Sequence, residues 1–335
     1  MDSSRSGTDY YFESYGHFGI HEEMLKDEVR TLSYRNAIYR NRDAFAGKVV
    51  LDVGCGTGIL SMFAATAGAK LVIGVDMSDM IEHARVIVKA NNFDDKIVLI
   101  KGKMEEVILP VEKVDIIISE WMGYFLLYES MLETVLWARD KYLVPGGLLF
   151  PDKATMNIAA IEDAEYKDSK IHYWDNVYGF DMSCIKPYAI REPLVDLVEA
   201  KACVTTDFVF MTIDINTVKN ENLDFVSDFD LKITKQDYIH GLVAWFTTSF
   251  PSINSSGRTV SFSTGPYDKQ THWKQTVFYL PEDLSVSPGQ HLKGSISCYR
   301  NKKNHRNLDI SLKCILFDQN GTQISSELSY NYCIA

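Results

Sequence analysis

The hydrophobic positions of the first 150 residues follow two alternating periods. Short, β-branched and nearly continuous apolar runs occur at "KVVLDVG" (48–54), "LVIGVD" (71–76), "IVLIKG" (97–102) and "VDIIISE" (114–120). Such runs read as strands buried on both faces, as in a parallel sheet. Between the first two, Ile59, Leu60, Phe63, Ala64 and Ala67 fall at helical spacing. Between the next two, Ser78 is placed to cap a helix that presents Ile81, Ala84 and Val88. A later helix carrying Leu132, Val135 and Leu136 runs into the stop signal "VPGG" at 144–147. Alternating strands and helices predict an α/β domain, doubly wound around a mostly parallel sheet.

Beyond Pro151 the pattern changes. "FVFMTIDI", "FDLKITK", "GLVAWFTTSF", "KQTVFYL", "KGSISCYR" and "LDISLKCILF" are strand-like, separated by turn residues, with little helical periodicity. Several short strands at such spacing predict an antiparallel barrel or sandwich. One segment, 164–196, is aromatic-rich and partly helical in pattern, and reads as an insertion. Its aromatics either form a partner surface or pack on their own domain.

Composition narrows the classes. The 335 residues are 46% hydrophobic and 24% charged, enough to fold and to bury two cores; only "MDSSRSGT" at the start reads as disordered. Acidic residues outnumber basic ones 45 to 34, for a net charge of −11. That disfavours a broad nucleic-acid-binding surface and suits a cationic partner. The six cysteines show no close pairs and no metal-ligand spacing, so neither disulfides nor a metal is expected. The N-terminus lacks a secretory pattern, no apolar run is long enough to span a membrane, and Asp2 rules out myristoylation. Asn254-Ser-Ser and Asn320-Gly-Thr then read as chance glycosylation matches. A soluble, intracellular protein is the expectation.

The first strand ends in "VVLDVGCGTG", placing Gly54, Gly56 and Gly58 between a strand and a helix, where a nucleotide-type crevice forms. Asp76 ends the second strand 22 residues after Gly54, the place for an acid that accepts both hydroxyls of an adenosine ribose. A dinucleotide site would want a glycine at 59, where the chain has Ile59. Asp52 precedes the glycines, where a carboxylate would repel a pyrophosphate but suit an ammonium or sulfonium. These residues favour S-adenosylmethionine over NAD.

The chain resembles the type I protein arginine N-methyltransferases over nearly its whole length. Four stretches carry the likeness: "YFESYGHFGIHEEMLKDEVR" (11–30), "VLDVGCGTG", "SEWMGYFLLYE" and "THW" (271–273). They look like the family's N-terminal lid, its first motif, its double-glutamate loop and its threonine-histidine-tryptophan loop. The resemblance implies a lid over 1–30, an S-adenosylmethionine-binding Rossmann-like domain over 31–150 and a β-barrel substrate domain over 151–335. The insertion at 164–196 would be a dimerisation arm. Implied donor contacts are His21 and Arg30 from the lid, the turn residues Asp52, Gly54, Cys55, Gly56 and Gly58, then Asp76 with Met77, and Met104 with Glu105. Tyr11, Phe12 and Tyr15 would close over the bound donor. Met24 and Met131 match methionines tied to asymmetric dimethylation; Met131 would stand among the donor contacts, and Met24 would line the acceptor slot with Tyr11, Tyr15, Met122, Tyr124 and Trp273.

The chemistry of Glu120 and Glu129 can be argued separately. A guanidinium is planar, stays protonated and presents a fork of N–H donors that matches carboxylate oxygens. Two glutamates at the mouth of the sheet can hold it bidentately, and the apolar residues around them strengthen the attraction. By resemblance His272 pairs with the lid acid Asp27, as proton acceptor, relay or lock. The implied reaction yields monomethyl and asymmetric dimethylarginine, leaving S-adenosylhomocysteine. Implied substrates are glycine- and arginine-rich RNA-binding proteins and histone tails; the implied assembly is a homodimer or higher oligomer, in nucleus and cytoplasm, touching neither nucleic acid nor membrane. A methyltransferase for a small molecule or RNA would share the donor site without needing two glutamates. An inactive donor-binding scaffold would keep the glycines and lose one glutamate.

Overall fold

The computed structural model describes residues 15–253 and 259–335. Helices α1 (Phe18–Lys26) and α2 (Glu28–Arg40) meet at Asp27 and lead through the single turn α3 (Arg42–Phe45) into the sheet domain. There follow β1 (Val49–Val53), α4 (Ile59–Thr66), β2 (Leu71–Asp76), α5 (Met80–Ala90), β3 (Ile97–Lys101), β4 (Val114–Ile118), α6 (Met131–Tyr142) and β5 (Leu143–Phe150). The strands lie in the order β3-β2-β1-β4-β5, all parallel. The chain runs outward from β1 to β3, then crosses back to β4 on the other side of β1. That reversal opens a crevice at the carboxyl ends of β1 and β4, where ligands bind in such sheets.

One local expectation gains a detail and one needs correction. "VPGG" does follow the end of α6 at Tyr142, but the run is itself strand, paired with β4 at the edge of the sheet. An edge strand tolerates Pro145, whose missing N–H faces no neighbour. Ser78 does not cap α5. Asp79 is the residue before that helix, and the Ser78 hydroxyl and N–H instead donate to Asp76 Oδ1 at 2.7 and 2.8 Å.

The second half contains β6 (Lys153–Ile161), α7 (Ala164–Lys170), α8 (Lys186–Arg191), β7 (Leu194–Asp196), β8 (Phe208–Asp214), β9 (Phe225–Lys232), β10 (Asp237–Ser249) and β11 (Ser261–Ser263). It ends with β12 (Gln275–Val286), β13 (His291–Arg300), β14 (Leu308–Phe317) and β15 (Leu328–Ile334). One antiparallel sheet runs β7-β12-β10-β6-β8 with β11 on β10; the other runs β15-β14-β13-β9. Inward positions alternate strictly along β14, where Leu308, Ile310, Leu312, Cys314 and Leu316 are buried.

The domains share one core. Buried Phe125, from the double-glutamate loop, stacks on Phe210 of β8 and meets Phe278 of β12 edge-on, with centroids 6.2 and 5.3 Å away. Phe125, between the two glutamates, is thus a plug that joins sheet to barrel. In the insertion, some aromatics pack on their own domain and others stay exposed. Tyr166 stacks on Tyr279, whose hydroxyl donates to Asp163 Oδ2 at 2.6 Å, and the buried Lys167 pairs with Asp283. These root the segment on its own barrel. Farther out, Tyr178 is 94% and Tyr188 75% exposed.

Candidate active site

The glycine turn after β1 takes left-handed backbone at Gly54 (φ 72°), Gly56 (φ 50°) and Gly58 (φ 80°), conformations that glycine adopts without steric cost. Space demands glycine as well. A β-carbon at Gly54 would collide with the Met131 methyl, and one at Gly56 would press on the His21 ring. Gly56 N–H donates to Asp76 Oδ2 at 2.8 Å, so the acid at the end of β2 braces the turn. Asp52 departs from its sequence-based role. Its side chain is wholly buried behind the turn, outside the lining of the crevice, and Oδ2 accepts from the Ser61 hydroxyl at 2.6 Å. Burial pushes its carboxyl up to about 7; the Ser61 hydrogen bonds and the Arg30 charge oppose the rise, and the charge of Asp76 adds to it.

The loop after β4 carries both glutamates. Ser119 anchors its start: its hydroxyl donates to Val53 O at 2.7 Å, and its carbonyl accepts from the Tyr34 hydroxyl at 2.9 Å. Glu120 is buried against Arg30 of α2, whose Nε and Nη2 both lie 2.9 Å from Oε2. Farther along, Phe125, Leu126, Glu129 and Ser130 all have positive φ. Each costs about 1 to 3 kcal/mol and persists only where the surroundings impose it. Here Trp273 Nε1 donates to Met122 O at 2.8 Å, Gly123 N–H to Leu126 O at 2.9 Å, and Glu129 N–H to Arg306 O at 2.8 Å.

Glu129 Oε2 accepts the Tyr15 hydroxyl at 2.8 Å. Burial raises its carboxyl to about 7; the Tyr15 bond and Arg306 oppose the rise, and the charge of Glu120 adds to it. The two carboxylates therefore feel one another within one site.

The barrel closes the far side. His272 Nδ1 lies 2.7 Å from Asp27 Oδ2, which also accepts the His272 backbone N–H at 2.9 Å. Asp27 Oδ1 caps α2 through Arg30 N–H at 3.0 Å. Burial acts to raise this carboxyl, but the His272 and Arg30 hydrogen bonds prevail and hold it below the ordinary range.

The crevice has a volume of about 640 Å³. Of the expected donor contacts, His21, Arg30, Gly54, Cys55 and Gly56 line it, as do Asp76, Met77, Met104, Glu105 and Met131. Both glutamates, Tyr15, Met24, His272 and Trp273 line it too, with Met122 and Tyr124. Gly58 starts α4 and Asp27 sits behind His272; neither faces the crevice. Tyr11 and Phe12 lie outside the described residues. Sequence reasoning missed Glu23, Asn220, His305 and Arg306, which also line the crevice. The last two lie in "NKKNHRN" (301–307), which reads as an ordinary turn and gives no local signal of contact with residue 129.

The residues fit S-adenosylmethionine. Bare glycine backbone faces the crevice, an acid stands at the end of β2, and the turn 54–58 carries no lysine or arginine to meet a diphosphate. Fold and site together define a methyltransferase of the Rossmann-like α/β class. Residues 50–147 match the family model for a methyltransferase domain, and 152–319 match that for the arginine methyltransferase oligomerization subdomain. The chain is 58% identical over 327 residues to protein arginine N-methyltransferase 1 of Dictyostelium discoideum, covering 98% of this chain and 94% of that protein. It is 56% identical over 334 residues to the protein of the same name from Schizosaccharomyces pombe, covering 99% and 97%. Among solved structures, the Trypanosoma brucei PRMT1 enzyme-prozyme heterotetrameric complex with AdoHcy superposes with a TM-score of 0.91 at 48% identity, covering 96% of this chain and 100% of that one. The chain belongs to the protein arginine N-methyltransferases, enzymes that methylate arginine from S-adenosylmethionine.

Proposed function

We propose that the enzyme methylates terminal guanidino nitrogens of arginines in glycine- and arginine-rich proteins and histone tails, giving monomethyl and then asymmetric dimethylarginine. The observation that carries this reading is the pair of carboxylates, Glu120 and Glu129, lining the same crevice as the glycine turn. Arg30 fixes the first and Tyr15 the second, so a guanidinium entering between them meets acceptors already oriented. When bound, S-adenosylmethionine supplies a methyl group on a sulfonium sulfur. Gly54 and Gly56 would meet it with backbone, Asp76 would take the ribose hydroxyls, and Glu105 the adenine edge. Acceptor and product are both cations, so each transfer releases one proton. Glu129, with a carboxyl near neutrality, accepts it. Met24 and Met131 crowd the slot and direct the second methyl to the nitrogen that bears the first. Glycine neighbours let the acceptor arginine thread a narrow mouth without steric cost. Tyr173, Tyr178, Phe180 and Tyr188, exposed on the segment 164–196, are the contacts of a homodimer.

Mass spectrometry of a glycine-arginine-rich peptide incubated with S-adenosylmethionine tests the chemistry. Two methyls on one terminal nitrogen are expected, with turnover abolished in Glu120→Gln and Glu129→Gln while donor binding survives. Unchanged turnover in either variant would remove the carboxylate clamp. A symmetric product would remove the role given to the methionines.

A further inference from the structure

The loop between β13 and β14 hydrogen-bonds the double-glutamate loop at residues 129 and 130. Arg306 bonds both peptide groups of Glu129: its carbonyl accepts Glu129 N–H at 2.8 Å, and its Nη1 donates to Glu129 O at 2.6 Å. One residue on, the Ser130 hydroxyl donates to His305 O at 2.5 Å. These three bonds fall on the two adjacent residues with φ of 76° and 58°. The gripping loop is itself braced. Asn301 accepts from Lys303 N–H and Asn304 N–H through one oxygen, and its amide donates to Asp309, while Asn304 bonds Asn307. At its base Arg300 pairs with Asp224 of the barrel and with Glu133 in the first turn of α6. The stretch 129–133 is therefore held at both ends by one barrel hairpin.

We propose that Arg306 is a positioning residue for Glu129: its guanidinium bond to Glu129 O, added to the bond its own carbonyl takes from Glu129 N–H, holds the left-handed turn that aims the Glu129 carboxylate into the acceptor slot. The proposal rests on the reading that Glu129 holds the acceptor guanidinium. A plain domain contact would not need to bond both peptide groups of one strained residue. The Arg306 charge also favours the ionised form of Glu129, against burial and the charge of Glu120.

The test uses the full chain with S-adenosylmethionine and a glycine-arginine-rich peptide, in wild type, Arg306→Ala and Arg306→Lys. Donor affinity and melting temperature are measured beside kcat and KM from pH 5.5 to 9. In Arg306→Ala, kcat should fall by about 10²-fold, the loss expected when a reacting group is misplaced by an ångström. Donor affinity should hold, and the acid limb of kcat/KM should move to higher pH. Arg306→Lys keeps the charge without the guanidinium's reach, so its acid limb should stay in place while kcat remains reduced. If Arg306→Ala does not fold, the lysine variant decides: a wild-type kcat there overturns the proposal. So does an alanine variant whose melting temperature drops while kcat and the acid limb are unchanged. Failure of the wild type to methylate any arginine would instead strike the underlying reading, and the proposal with it.

Discussion

If Glu129 pairs with the acceptor cation as proposed, a carboxyl that burial raises to about 7 leaves a mark on the pH profile. Below about 7 the Glu129 carboxyl of the free enzyme is protonated and cannot pair with a guanidinium. kcat/KM for an arginine peptide, which reports the free enzyme, should therefore climb as pH rises through about 7, tenfold per unit on the acid side. In the complex the bound cation favours the carboxylate, so the limb of kcat should lie at lower pH. A kcat/KM flat between pH 6 and 8 would show that Glu129 does not need its charge. That Glu120 and Glu129 belong together was legible at residue level, because an apolar loop that keeps two acids stands out, and both line the crevice. The fate of Asp52 was not: a carboxylate next to a glycine turn reads as facing the ligand, yet strand alternation turns it into the core, where Ser61 receives it.

Among elements, the junction of α1 and α2 does more than its sequence announces. Asp27 caps α2 and holds both His272 N–H groups, joining the lid helices to the loop before β12. Asp27→Asn keeps one oxygen for the cap but presents an amide where His272 needs an acceptor. The expected loss is about 1 to 3 kcal/mol at neutral pH, that of leaving a buried donor unpaired. Because the folded-state carboxyl titrates below its ordinary value, the wild type's advantage is present above the ordinary range and lost as pH falls through the folded value. Thermal melts at pH 7 and pH 3 check this, and a difference that persists undiminished at pH 3 would contradict it. Legibility among elements followed periodicity. The four buried runs before 120 and the helices between them declared themselves, because burial on both faces leaves a continuous apolar signal. β5 hid, since Val144, Pro145 and the two glycines sit at a sheet edge that demands little of them. The barrel hairpin that grips residues 129–133 hid more completely. Its asparagines and lysines are ordinary turn residues, and contact across some 175 positions leaves no trace in either segment alone.

For the whole molecule, the segment 164–196 is fixed at its root by Lys167, Tyr166 and Asp163 and carries exposed aromatics beyond. Tyr178→Arg with Tyr188→Arg should convert a dimer to monomer in sedimentation velocity, leaving the melting temperature within about 2 °C, since neither ring is buried in its own chain. A dimer that survives the double change would place the interface elsewhere. The crevice itself is assembled from three parts of the chain that fold for different reasons. Glu120 takes its place from a lid helix, Glu129 from a barrel hairpin, and the glycine turn from the sheet alone. Occupancy by donor and competence for transfer are therefore separate properties of this enzyme. A chain with a loosened barrel should keep the glycine turn and lose the hold on Glu129, taking up methyl donor that it delivers poorly.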